Sequence, residues 1–368
     1  MAASEPDATP ANTSVALAAW QDALAETRDA FSSWQTDLTR AVAPFQTPED
    51  PFGDGLSGAI VAAEASLKAI IDRLEAAHHT LMAAYGEAVK TESPDTVNRL
   101  EWQRTEQTRT LRSQAAQMSD QGHAAVTRAA AAAARALFEA ASREWNQPRS
   151  CRSCETPIFV GGVWQPTTFT CGSCGDKITF DAEPLTARFY AGPSLDVICA
   201  EHALDAWQVL LAAQRRFEGM THALPRDFES YEAATRSWAT AYATLYGELH
   251  PAWSADDVSE AIQRRTEDTL DEAGSEAARA RRTQLAEGAA VAAEGDLAKL
   301  MAWAQAQATG TDMADLIADL AVCVHEHDDR ANAWQVIALQ HHIQREAQDR
   351  DTWMRERLTQ LDAALRGR

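Results

Sequence analysis

The sequence predicts a mainly α-helical protein in which bundles of long helices flank a small inserted β module with four cysteines. Three observations predict this class. Apolar residues recur at helical spacing over most of the 368 residues. Prolines and glycines, which end helices, gather at a few positions between these stretches. β-prone residues concentrate near the middle of the chain, where two pairs of cysteines also lie.

The chain is long enough for two or three domains with sizeable cores. We expect four regions. Residues 1–12 are polar and contain proline, which predicts a flexible tail. Residues 13–147 form the predicted N-terminal long-helix bundle, 148–182 the four-cysteine module, and 183–368 a C-terminal helical domain.

Two helices with matching apolar seams open the predicted bundle. The first runs from about Thr13 to Ala43, and the second from about Leu56 to Val89. Their apolar residues stand seven apart, at Leu17, Leu24, Phe31 and Leu38 in the first and at Ile60, Leu67, Leu74 and Leu81 in the second. Such seams predict antiparallel packing of the two helices. A homo-oligomer that associates through the same seams is a further prediction.

A third, much longer helix follows. Ser93 as cap and Pro94 at the first helical position predict its start. Only Gly122 interrupts the helix-favouring residues before Trp145, and Pro148 ends the segment.

The sequence of residues 183–368 predicts an irregular stretch followed by helices. We expect irregular chain from Glu183 to Pro193, because prolines stand at both ends. The helices are expected over 196–218, 226–246, 254–307, 312–327 and 330–365. Gly274, Gly288 and Gly295 are candidate division points within the third of these.

The four cysteines of the β module have the spacing of a metal site. Cys151 and Cys154 form one C-x2-C pair, Cys171 and Cys174 form the other, and sixteen residues separate the pairs. This spacing predicts one tetrahedral Zn²⁺ ion with four thiolate ligands. Four protein ligands leave no position for water, so we expect a structural and not a catalytic zinc. The alternative is two disulfides or four unrelated buried thiols.

Short β-prone runs surround the cysteines. Residues 157–160 and 163–165, joined by Gly161-Gly162, predict a hairpin, and residues 168–170 with 177–180 predict strands on either side of the second pair. Residues 149–181 resemble the zinc-ribbon superfamily in Phe169, Cys171, Cys174, Gly175 and Phe180. The first pair departs from the family pattern, because Glu155 stands where glycine is usual. The resemblance covers about thirty-five residues and implies a ribbon fold, but no single function.

Charge argues against nonspecific nucleic-acid binding. The chain has 33 basic and 54 acidic residues and a formal net charge of −21, whereas phosphate contacts require local positive charge. Between Pro148 and Tyr190, the basic residues Arg149, Arg152, Lys177 and Arg188 are balanced by the acidic residues Glu155, Asp176, Asp181 and Glu183. A local patch that contacts nucleic acid stays an alternative.

Other groups of potential ligands are less complete. Cys199 and His202 lie three residues apart on one helix, but a metal site would need two further ligands. A second cluster consists of Cys323, His325 and His327, with His341-His342 downstream. Glu75 and His78 match the E-x-x-H spacing of di-iron bundles, but no second copy exists, so we expect His78 to be a core histidine.

The expected compartment is the reducing cytoplasm. Residues 1–7 have neither the basic region nor the apolar core of a secretory signal, and no run of about eighteen apolar residues predicts a membrane span.

These observations favour a zinc-binding scaffold or adaptor that contacts protein partners. The sequence contains no Walker A loop and no G-x-G-x-x-G, G-x-S-x-G or H-E-x-x-H motif. Two alternatives remain. The first is a nucleic-acid-associated regulator that uses the ribbon as its contact module. The second is an enzyme with a site in the C-terminal helices near His325 and His327.

Overall fold

The computed structural model describes residues 11–47, 54–91, 93–159, 162–307 and 312–327, together with Val336 and Leu339. Contacts divide the chain into two compact units, Met1–His202 and Ala203–Arg368. The four regions expected above stay a prediction about domain organisation. The division by contacts places residues 183–202 in the first unit.

The first unit is a helical bundle with two small β hairpins. Its helices are α1 (Ala11–Val42), α2 (Asp54–Val89), α3 (Pro94–Trp145), α4 (Pro184–Ala191) and α5 (Ser194–His202). Its strands are β1 (Arg149–Ser150), β2 (Pro157–Ile158), β3 (Thr167–Thr170) and β4 (Lys177–Phe180). The predicted class, long helices around a small four-cysteine β module, is confirmed.

The predicted antiparallel packing of α1 and α2 is confirmed by contacts at two levels. The Trp20 ring meets His78 edge-on, and Trp34 Nε1 donates to the Ala63 carbonyl oxygen at 2.7 Å. Residue numbers therefore rise along one helix while they fall along the other. His78 is buried, as expected of a core histidine, and burial lowers its pKa.

Helix α3 continues through Gly122 without a break. A Cβ atom at this position would lie 2.2 Å from Leu67 Cδ2 of α2, so the missing side chain lets the two helices approach closely. The C-terminal half of α3 packs against α4 and α5.

Three local expectations in the first unit and just beyond it were wrong. The β2 residues Pro157 and Ile158 pair antiparallel with Ser150 and Arg149, and not with residues 163–165. Val160 and Gly161 lie outside the described residues. Residues 184–191 are helical, because Pro184 starts α4 at its first turn and does not break it. The helix expected over 196–218 divides at Ala203, where neither glycine nor proline signals a boundary.

The second unit is helical throughout its described part. It contains α6 (Leu204–Glu218), α7 (Pro225–Leu249), α8 (Ala255–Leu270), α9 (Glu276–Ala293), α10 (Leu297–Gln307) and α11 (Asp312–Glu326). The helix expected over 254–307 divides near Gly274 and Gly295, but Gly288 lies within α9. The helix expected over 330–365 lies outside the described residues, apart from helical Val336 and Leu339. Every described helix is too short or too polar to span a lipid bilayer.

Gly288 offers a test of this packing. A Cβ atom there would lie 2.4 Å from Cη2 of the rigid Trp303 indole. Overpacking of this kind costs about 1–3 kcal/mol, which exceeds the ~0.5–1 kcal/mol that alanine gains over glycine in a helix. We expect Gly288→Ala to lower the free energy of unfolding, measured by urea titration of the circular dichroism signal. Gly86→Ala in α2 is the control, because its Cβ would meet no atom within 4 Å. That variant should gain stability.

Candidate metal centre

Two hairpin turns of the same design present the cysteines. In the first turn, Cys151 donates its backbone N–H to the Thr156 oxygen at 2.9 Å and accepts from the Glu155 N–H at 2.9 Å. In the second turn, Cys171 makes the same two bonds, with the Asp176 oxygen and the Gly175 N–H, each at 2.8 Å. Each C-x2-C turn therefore joins its two strands directly, which explains why β1 pairs with β2 and β3 with β4.

The residue after each C-x2-C turn has left-handed backbone geometry. The φ angle is +80° at Gly175 and +57° at Glu155. Left-handed geometry costs a residue with a side chain roughly 1–2 kcal/mol, whereas glycine adopts it freely. The departure from the ribbon pattern that the sequence shows at Glu155 is therefore a point of backbone strain, and the turn keeps its geometry despite that strain.

The two turns bring the four thiol sulfurs together. All four Sγ atoms lie within 4.8 Å of one another. The Sγ–Sγ distances are 3.6 Å for Cys151 with Cys174 and 3.6 Å for Cys154 with Cys171. A tetrahedron with metal–sulfur bonds of ~2.3 Å has edges of about 3.8 Å. The four cysteines can therefore hold one metal ion.

The cysteines are free thiols and differ in their surroundings. No pair forms a disulfide, so that alternative does not describe this structure. Cys151 and Cys171 are buried, while Cys154 and Cys174 face solvent. Ser153 Oγ also hydrogen-bonds Asp176 Oδ2 and so links the two turns at their exposed side.

The neighbouring groups separate the pKa values of the thiols. Hydrogen bonds from the Thr156 hydroxyl and backbone N–H lower the pKa of Cys154 to about 6. The Asp176 backbone N–H lowers the pKa of Cys174, but hydrogen bonding with Cys154 and desolvation outweigh it and raise the value to about 12. Backbone N–H groups of Cys174 and Ser173 also lower the pKa of Cys171. In the metal-free protein Cys154 and Cys171 therefore ionise more readily than an ordinary thiol, while ionisation of Cys174 is opposed. A divalent cation removes this opposition, because it stabilises all four thiolates.

Two partly buried carboxylates connect the four-cysteine module and the helices of its own unit. Glu183 forms an ion pair with Arg149 of β1, and its backbone N–H donates to the Val163 oxygen at 2.8 Å. Glu144, near the end of α3, accepts from the backbone N–H groups of Leu185 and Thr186 at 3.2 and 3.1 Å. Glu144 thus caps α4 from a different helix.

Trp145 adds an apolar connection at the same place. Its Nε1 donates to Thr186 Oγ1 at 2.7 Å, and its ring stacks on Tyr190. A Cβ atom at Gly162 would lie 2.4 Å from Trp145 Nε1, so the loop between β2 and β3 approaches the indole closely. The sequence analysis missed Glu144, Trp145 and Glu183 as positioning residues. In the sequence, only Gly162 and the Glu183-Pro184 helix start indicate that these residues position the module.

The other candidate ligands do not assemble a metal site. In the described part of the chain, the four module cysteines are the one group of three or more Cys, His, Asp or Glu residues placed to hold an ion. Cys199 is buried and His202 is exposed, so they point into different environments. His341 and His342 lie outside the described residues.

His327 is held by hydrogen bonds on both sides of its ring. Its Nε2 lies 2.8 Å from Asp227 Oδ2, and its Nδ1 lies 2.7 Å from the Cys323 carbonyl oxygen. The Cys323 thiol lies 4.0 Å from the same Nδ1. However, burial raises the pKa of this thiol to about 12, and Cys323 has no exposed surface. The arrangement resembles a cysteine–histidine–aspartate catalytic group in composition, but the thiol is unsuited to act as a nucleophile.

The basic residues of the module offer little to a phosphate backbone. Arg149, named in the nucleic-acid hypothesis, is mostly buried, pairs with Glu183 and lies over the Phe180 ring. Arg152 and Lys177 are exposed, but so are Glu155 and Asp176. This surface therefore has no excess of positive charge.

Comparison with protein-family models, with curated protein sequences and with solved structures gives no match to this chain. The ribbon resemblance therefore rests on the residues and turns described above.

Glu155 and Gly175, the two residues with left-handed backbone geometry, allow a matched pair of substitutions. Glu155→Gly should strengthen zinc binding, because relief of ~1–2 kcal/mol of strain exceeds the ~0.5–1 kcal/mol entropy cost of glycine. Gly175→Ala should weaken zinc binding severalfold for the converse reason. Competition with a chromophoric chelator measures both affinities. Gly172→Ala is the control, since Gly172 has no positive φ angle and open space around it. Equal affinities for all four proteins would show that the backbone at residue 155 is not strained.

The split pKa values predict how many protons zinc displaces. Because Cys154 is already largely ionised at pH 7.5, loading of the metal-free protein should release fewer than four protons per zinc. Thr156→Val removes the hydroxyl that lowers the pKa of Cys154, so proton release should move toward four. Calorimetry in buffers of different ionisation enthalpy gives the number. Thr168→Val, a threonine that bonds Thr179 away from the cysteines, should leave it unchanged.

Proposed function

We propose that this chain is a zinc-binding helical scaffold or adaptor, in which the zinc is structural and the exposed faces bind protein partners. The observation that carries the proposal is the closed group of four thiols. Its first strand pairs with Glu183 at the start of α4, which Glu144 of α3 caps. Zn²⁺ is the ion that four cysteine ligands at this separation favour, and its coordination shell would have no vacancy for a substrate.

The size of the module supports a structural role for the ion. Its own core consists of Cys151, Cys171 and Ile178, with Ile158 and Phe180 partly buried beside them. So few apolar side chains cannot offset the conformational entropy of ordering about thirty residues. The free energy of metal binding would supply the difference, as in other small zinc modules.

An exposed aromatic ring supports the adaptor role. Phe159 follows β2 and is 90% exposed, although phenylalanine is usually buried. Aromatic side chains contribute strongly to protein interfaces. Phe159 therefore offers an apolar side chain for contact with a protein partner.

Zinc content and stability test the metal. We expect the purified protein to contain one zinc, and Cys151→Ser or Cys174→Ser to lose it and to unfold at a lower temperature. Cys199→Ala, which changes a buried cysteine outside the cluster, should keep the full zinc content. Elemental analysis and thermal unfolding provide the two measurements. Absence of stoichiometric zinc, or unchanged thermal stability of the serine variants, would contradict the proposal.

The adaptor role has its own test in the full-length chain. Affinity capture from native lysate should recover a defined protein partner with the zinc-loaded protein, and less of that partner with Cys174→Ser or with Phe159→Ala. Phe159→Ala leaves the cysteines intact. It therefore tests the contribution of the Phe159 ring to partner binding without removing the metal ligands. Turnover of a substrate by the purified protein, abolished by a single substitution, would instead favour an enzyme.

A further inference from the structure

A groove runs along the first unit between α2 and α3, away from the metal-binding module. It encloses about 450 Å³. Its α2 wall consists of residues that recur every three or four positions on one helix face, namely Glu64, Leu67, Lys68, Ile71, Asp72 and Glu75. These residues span three helical turns, or ~16 Å at ~1.5 Å per residue.

The α3 wall shows the same periodicity. It consists of Ser119, Gly122, His123 and Val126. The groove is therefore bounded by two helical stripes that run side by side, which is the shape that receives a third helix. Gly122 contributes to this shape because its missing side chain admits Leu67.

The floor of the groove is apolar. Leu67 is buried, and Ile71 and Val126 are partly buried against the core of the unit. The groove therefore has an apolar floor formed by Leu67, Ile71 and Val126.

The rim of the groove is acidic. Glu64, Asp72 and Glu75 are exposed, and only Lys68 among the lining residues carries a fixed positive charge. Lys68 Nζ is already engaged by Asp72 at 2.7 Å. Desolvation lowers the pKa of His123, against the opposite influence of Glu64 and Asp120, so this imidazole adds little positive charge at neutral pH.

We propose that this groove, here called the α2–α3 groove, binds an amphipathic helix of a protein partner with apolar residues on one face and lysine or arginine beside them. The apolar stripe would pack on Leu67, Ile71 and Val126, and its basic flanks would meet Glu64 and Glu75. The proposal rests on the adaptor function proposed above and specifies the chemistry of one partner. Charge complementarity selects a basic helix, because an acidic one would be repelled by the rim.

A synthetic peptide tests the groove directly. The probe is a fluorescein-labelled 14-residue helical peptide with leucines at helical spacing on one face and lysines beside them, titrated with the zinc-loaded full-length chain. Fluorescence anisotropy should show saturable binding that weakens as salt is raised. A peptide with glutamate in place of each lysine, and one with its leucines scattered around the helix, should bind at least about tenfold more weakly.

Variants place the binding in the groove. Glu64→Lys/Glu75→Lys reverses the rim charge, and Ser119→Trp puts a large ring at an exposed rim position; each should weaken peptide binding about tenfold or more. Asp22→Lys/Glu26→Lys makes the same charge change on the exposed face of α1, and Ser113→Trp is an exposed substitution on α3 outside the groove. Both controls should bind like the unchanged protein. Circular dichroism confirms that all four variants are folded.

Three results would overturn the proposal. They are no saturable binding up to about 0.1 mM protein, equal binding by the groove and control variants, and concentration-dependent self-association of the chain that the groove variants abolish. The last result would make a second copy the occupant. If any of these results occurred in a protein with normal zinc content and normal partner capture, the proposed adaptor function would stand. Only the proposed role of the α2–α3 groove would be rejected.

Discussion

Crowding of four thiol groups within 4.8 Å is the constraint on which the four-cysteine module depends. Neutral thiols at van der Waals distance attract one another only weakly, and several thiolates at that distance repel. The opposite pKa shifts of Cys154 and Cys174 express this conflict, since ionisation of one sulfur opposes ionisation of its neighbour. The apolar core of the module is small, and the Ser153–Asp176 hydrogen bond links the two turns only at their exposed side. A cation between the four sulfurs would stabilise their thiolate forms together.

The position of the four-cysteine module depends in turn on the carboxylates of Glu183 and Glu144. Glu183 neutralises Arg149 at the start of β1, and Glu144 satisfies backbone N–H groups at the start of α4. Each carboxylate is partly buried, and its loss would leave donors without partners, at a cost of about 1–3 kcal/mol per group. The Arg149–Glu183 ion pair therefore joins the four-cysteine module to the start of α4, and Glu144 joins α4 to the long helix α3.

The elements that the sequence predicted correctly are those whose determinants are local. The bounds of α1 to α3 follow from heptad spacing, Pro44 and the Ser93-Pro94 start, and the sulfur cluster follows from two C-x2-C pairs. The errors have distant causes. Helix α4 was missed because its cap, Glu144, lies about forty residues earlier in the chain. The β1–β2 pairing was missed because Gly161-Gly162 resembles a hairpin turn locally, while Gly162 instead provides close approach to Trp145. Both errors therefore arise from contacts between residues that lie apart in the sequence, for which the local sequence gives no signal.

Cys154 and Cys323 show why proximity alone does not define a reactive site. Cys323 has an imidazole 4.0 Å away and a carboxylate beyond it, the composition of a nucleophilic group. Yet both ring nitrogens of His327 are occupied by oxygens, and burial keeps the thiol protonated by raising its pKa to about 12. Cys154 has no histidine partner, but Thr156 lowers its pKa to about 6 and solvent reaches it. The accessible thiolate thus lies where three other sulfurs are close enough to share one ion with it, and the sulfur beside a base is inert. This distribution of thiol ionisation favours metal binding over covalent chemistry.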